Sequence, residues 1–144
     1  MINRRHIRVK VMQSVYAMIK SYDDDVLKEE KFIKHSIKRM FDLYVLLLDL
    51  LVEVQKLAEE KQKISKKKYL ATKEDLSPNR KFVENKLIKK IAESSSLTLY
   101  KEAQNLDNWS KDDEYIKIIW DLLQNSDIFS EYLNSSDDSF NSDK

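Results

Sequence analysis

The chain has 144 residues, no cysteine, no glycine, one proline and a formal net charge of only +1. Absence of cysteine excludes a disulfide framework, a thiolate zinc site and a thiol nucleophile, and fits a reducing cytoplasm. Absence of glycine excludes glycine-dependent hairpin turns, a glycine-rich phosphate loop and a dinucleotide fingerprint, so the predicted class is all-α: a helical bundle with one long central helix.

The near-zero total conceals segregation, because residues 1–20 sum to +5, 21–60 to −4, 61–90 to +8 and 107–144 to −7. Basic blocks suit phosphate contacts and acidic blocks suit solubility or a basic partner, although both also occur as plain solvated helix faces. The most apolar run, residues 43–52, is far shorter than the ~20 residues a membrane span needs, and it contains Asp49. No membrane is therefore expected as a partner, and the start lacks the cleavage site of a secretory signal.

A first helix is predicted over residues 3–20, where Ile7, Val11, Val15 and Met18 form one stripe and Val9, Met12, Tyr16 and Ile19 another. Together they predict a wide buried face. Asp23-Asp24-Asp25 supplies acceptors for a second start, followed by a heptad-like pattern from Phe32 through Leu57. Unbroken from Val26 to Gln62, that helix would run roughly 55 Å at 1.5 Å per residue and leave Lys61 to Lys68 as an exposed basic tip. Ser77-Pro78 predicts a third start, continued by Phe82, Val83, Leu87, Ile88 and Ile91, with a kink at Ser94-Ser95-Ser96. Ser110-Lys-Asp-Asp113 resembles a capping box ahead of Tyr115, Ile116, Ile119, Trp120 and Leu123, and a short turn of helix is expected at Ile128–Leu133. Residues 1–133 thus read as one helical domain and 134–144 as a polar linker or disordered tail.

Catalytic constellations are scarce. His6 and His35 are the only histidines, and no His-Glu-x-x-His pair or carboxylate cluster at metal-ligand spacing occurs. Asp42, Asp49 and Glu53 interrupt the apolar part of the long helix, where acids mark a face rim or bond to a neighbour more often than they act as acid and base. No enzyme activity, cofactor or metal is expected.

The basic start carries the functional reading. Arg4 and Arg8 lie one turn apart, Arg5 beside them and His6 around the end, so their forked donors and the imidazole can meet phosphates or stack on bases. Arg8 falls within the arc flanked by Val11 and Val15, which leaves two readings open: contact with RNA, or pairing with an acid of the second helix. Lys66, Lys67 and Lys68 with Tyr69 form a possible auxiliary RNA contact, in which lysines attract the backbone and the ring stacks.

Asn3-Arg-Arg-His-Ile-Arg-Val-Lys-Val-Met-Gln-Ser-Val-Tyr-Ala17 resembles the opening helix of the transcription antitermination factor NusB family, in which an arginine-rich start precedes an Ala-x-Gln-Ala-Leu-Tyr-like run. Matching Gln13-Ser-Val-Tyr16 to that run puts Arg4, Arg5 and Arg8 on the family's arginines; His6, Ile7 and Val11 depart from it. The rest of the chain looks like the first half of a long NusB variant carrying an insertion. The resemblance implies an all-helical RNA-binding antitermination factor, or an N-terminal fragment of one. Its implied partners are single-stranded RNA, the box A element of ribosomal RNA leaders, and the ribosomal protein NusE within the antitermination complex. Two other classes stay open: a non-enzymatic protein-interaction scaffold, and a NusB-like appendage of a ribosomal RNA methyltransferase.

Overall fold

In a computed structural model the described residues, 3–22, 25–69, 72–135 and Asp143, form helices and connectors with no strand. The helices are α1 (Arg4–Ser21), α2 (Val26–Lys66), α3 (Lys73–Leu76), α4 (Lys86–Ala92), α5 (Ser95–Gln104), α6 (Asn108–Lys111), α7 (Asp113–Gln124) and α8 (Asp127–Asn134). The all-α class is therefore observed, with α2 as the long helix. Within α2 the chain divides into two compact units, Met1–Leu46 and Leu47–Lys144.

Unit 1 is α1 and the first half of α2. Asn3 starts α1 with a capping box: its Oδ1 accepts the His6 N–H at 3.1 Å, and His6 Nδ1 accepts the Asn3 N–H at 3.4 Å. At the other end Tyr22 adopts a left-handed conformation (φ 52°, ψ 31°) and returns its N–H to the Met18 carbonyl. Glycine usually fills such a position, because a Cβ there costs about 1 kcal/mol. Of the predicted acidic start, Asp25 receives the Lys28 N–H at 3.0 Å, whereas Asp23 and Asp24 lie outside the described residues. With no glycine or proline inside it, α2 then runs for 41 residues.

Unit 2 is built on the second half of α2. Its core is Val54, Ala58, Val83, Ile116, Trp120 and Phe129, to which Phe82, Leu57, Trp109, Ile119 and Tyr132 add partly buried surface. Phe82, Trp120 and Phe129 meet in a triangle of rings, with Phe129 edge-on to Phe82 at 5.3 Å and to Trp120 at 6.0 Å. Edge-to-face contacts favour the ring quadrupoles and add to the area these large side chains bury.

Two helix starts differ from expectation. Ser77-Pro78 begins no helix, because the following residues are held irregular by side chains from elsewhere. Gln62 donates to the Asn79 carbonyl at 2.9 Å, Asn79 donates to the Leu133 carbonyl at 2.9 Å, and the buried Gln55 donates to the carbonyls of Phe82 (3.3 Å) and Val83 (2.9 Å). Those bonds insert Phe82 and Val83 into the core, and Asn85, accepting the Ile88 N–H at 2.9 Å, starts α4 instead. Ser110 likewise does not cap α7. Its hydroxyl donates to Asp107 Oδ1 at 2.7 Å within the turn that becomes α6, and α7 follows from Asp112 without a side-chain cap.

The serine run breaks the chain into α4 and α5 rather than kinking one helix, and the expected turn at Ile128–Leu133 is α8. Apart from Asn134, Ser135 and Asp143, the proposed polar tail lies outside the described residues. Asp143 accepts the Tyr132 hydroxyl at 2.9 Å and the Lys86 N–H at 2.8 Å.

Phe129→Ala is expected to cost about 3–5 kcal/mol, since it opens a cavity between two rings; urea unfolding monitored by Trp fluorescence measures it. Tyr22→Gly should instead stabilise the chain by about 0.5–1 kcal/mol, because Tyr22 is 93% exposed and loses only its left-handed penalty.

Candidate functional site

The register of α1 decides what its start can do. Ser14 is 1% exposed, and its hydroxyl donates to Glu29 Oε2 of α2 in a short contact. Lys10 and Met18, one turn to either side, are half-buried, so the line Lys10, Ser14, Met18 faces inward. The expected buried face does not form. Ile7, Val9, Val11, Met12, Val15, Tyr16 and Ile19 are all exposed, from 39% at Ile7 to 66% at Met12. The physical reason is the carboxylate of Glu29: half-buried on α2, it takes a donor from Ser14, a small hydroxyl residue that also lets the helices approach.

That rotation turns the arginines outward with the apolar stripe. Arg4, Arg5 and Arg8 are exposed, and none forms an ion pair with a described residue. Of the two readings open for Arg8, pairing with an acid of the second helix is not seen among the described residues. No acid occurs in α1, so among the described residues nothing offsets the repulsion among these cations and solvent screens it. His6 is exposed too, but its Nδ1 accepts the Asn3 N–H, which leaves Nε2 as the nitrogen open to a ligand.

The auxiliary candidates belong to unit 2. Lys66 is the last residue of α2, and the Lys67 and Lys68 N–H groups close onto the carbonyls of Ile64 and Ser65 at 3.0 and 3.2 Å. Cations there complement the negative end of the helix dipole, a structural reason for part of the basic block. Lys68 also pairs with Asp75 at 3.6 Å, whereas Lys66, Lys67 and Tyr69 stand in solvent. The expected tip is shorter than eight residues: Lys61 pairs with Asp121 of α7 at 3.2 Å, and Gln62 is tied to Asn79.

Asp75 and Thr72 form a capping box for α3, one that the pattern Thr72-Lys-Glu-Asp75 signals and the sequence reading passed over. The Thr72 N–H, its hydroxyl and then Lys68 hold the Asp75 carboxyl below its ordinary range. The interior acids are also partnered, Asp42 by Arg39, Asp49 by Lys101 and Glu53 by Lys56. Each thus bonds to a neighbour, one of the alternatives that their positions on the long helix suggested.

Beside the ring triangle lies a cavity of about 310 Å³, lined by Gln62, Thr72, Asn79, Phe82, Trp120 and Phe129 among others. Among the described residues, no group of three or more His, Asp or Glu could hold a metal ion. No helix among them is long and apolar enough to cross a membrane. Compared with known protein families, curated proteins and solved structures, the chain matches none.

The depressed Asp75 carboxyl gives a pH signature. Its contribution to the α3 cap is fully present above the ordinary aspartate range and is lost as pH falls through the lowered value of the folded state. The Thr72 amide resonance should shift over that window in the native chain and lose the shift in Asp75→Asn.

Proposed function

We propose that this chain binds single-stranded RNA through the start of α1 and acts as an antitermination factor of the NusB kind, or as a fragment of one. One observation carries the reading: Arg4, Arg5 and Arg8 stand exposed within the first five residues of a helix that has no acid, and no described carboxylate neutralises them. A guanidinium presents a planar fork that meets phosphate oxygens in pairs and stacks on unpaired bases, which suits a single strand better than a lysine patch would.

The resemblance of residues 3–17 to the NusB opening helix narrows the ligand to box A of ribosomal RNA leaders and the protein partner to NusE. His6 would contribute through Nε2 alone, since its other nitrogen serves the cap. Lys66 and Lys67 would add backbone attraction, with Tyr69 as a stacking platform and Lys68 shared with Asp75. None of these groups requires a reaction, and none is proposed.

Fluorescence anisotropy with a short box A RNA at low salt tests the reading. Arg8→Ala is expected to weaken binding about tenfold and to flatten the salt slope by about one charge, with Lys20→Ala changing affinity less than threefold. Equal losses would reduce the basic start to diffuse charge, and no binding at low salt would overturn the proposal. Replacing Lys66, Lys67 and Lys68 together by alanine should lower both affinity and salt slope; no change in either removes them from the site.

A further inference from the structure

The outward apolar stripe of α1 is not what RNA binds. Ile7, Val11, Met12, Val15, Tyr16 and Ile19 span more than three turns of one helix, and phosphates or riboses gain nothing from them. Contiguous exposed apolar surface on this scale marks a docking site. What distinguishes it is charge: Arg4, Arg5 and Arg8 project from the same side, and Lys20, held 5.8 Å from the Tyr16 ring, adds a fourth cation.

The same chain carries a face of opposite character on α7. Tyr115, Ile118 and Leu122, at the i, i+3, i+7 spacing by which a helix anchors in an apolar groove, are 61%, 48% and 68% exposed. Glu114 borders them, as does Asp121, which is shared with Lys61. Residues 107–131 hold seven acids against two lysines, and Lys117 within α7 is raised above its ordinary value by Asp113 first, then by Glu114 and Glu60. The inner side of this helix, Ile116 and Trp120, is already in the core, so the outer stripe is a second face.

We propose that the basic apolar face of α1 docks on the acidic apolar face of α7 of a second copy of this chain. Like-on-like pairing is disfavoured on both faces, since two α1 faces would oppose arginines and two α7 faces would oppose carboxylates. The contact is therefore heterologous, joining different faces of the two copies. Apolar side chains supply the affinity, and the opposite charges fix which face meets which. The inference does not depend on RNA binding.

Sedimentation velocity over a concentration series tests it, using single substitutions at exposed positions that leave both cores untouched: Met12→Asp on α1 and Ile118→Arg on α7. The native chain is expected to gain mass with concentration and to lose it at high salt. Each variant alone should stay monomeric, with native far-UV circular dichroism. Mixed, they should recover a one-to-one pair, because the first still offers its α7 and the second its α1. Below the concentration at which the native chain associates, Ile118→Arg should bind box A RNA like the native chain, which separates this proposal from the previous one. A native chain that is monomeric throughout would overturn it, as would association that survives Ile118→Arg. Binding of a monomeric native chain to anionic vesicles, abolished by Met12→Asp, would reassign the stripe to a lipid surface and overturn it equally.

Discussion

One hydrogen bond sets the orientation of α1. Ser14 is the most buried residue of α1, and its hydroxyl meets the Glu29 carboxylate of α2. A bond to an ionised acceptor is worth about 1.5–3 kcal/mol, and leaving that carboxylate without a donor in a shielded position would cost a comparable amount. Turning α1 so that valines and isoleucines faced inward would carry Ser14 into solvent and deprive the half-buried Glu29 of this donor. The alignment of α1 therefore follows a polar pair, and both the guanidiniums and the aliphatic stripe are placed outward by it.

Unit 2 uses side-chain amides where other folds use glycine. Gln55, Gln62, Asn79 and Asn85 bond to backbone groups of the connector between α3 and α4 or of its neighbours, holding it without a glycine turn. Each satisfies a main-chain group that irregular conformation would otherwise leave unpaired. The result is that Phe82 and Val83, which lie outside any helix, reach the core beside Trp120 and Phe129. Where left-handed backbone is unavoidable, Tyr22 and Asn105 adopt it, and asparagine tolerates it better than tyrosine.

Electrostatics here organises surfaces more than it stabilises the fold. The exposed pairs, Glu59 with Lys63 and Lys117 with Asp113 along helices and Arg80 with Glu84 in the connector before α4, are local contacts of the kind worth a few tenths of a kcal/mol. What matters more is their distribution: residues 1–46 carry ten Lys and Arg against six Asp and Glu, whereas acids dominate around α7 and α8. A field divided in this way favours a polyanion at one place and a cationic partner at another.

Much of the architecture was legible in the chain itself. Zero glycine and long helical periodicity determine an all-α fold, Asp25 and the unbroken heptads determine α2, and the run of arginines without acids determines a cationic start to α1. Those are local properties, set by backbone propensity and by charge on neighbouring residues. Three things were decided only by tertiary packing. Ser77-Pro78 has every local mark of a helix start, yet distant amides from α2 hold the following residues open. Ser110 has the pattern of a cap, yet its hydroxyl finds Asp107 first. The direction α1 faces could not be read from its apolar pattern, because periodicity says which residues share a side but not which side has a partner, and that was settled by a carboxylate fifteen residues further along the chain.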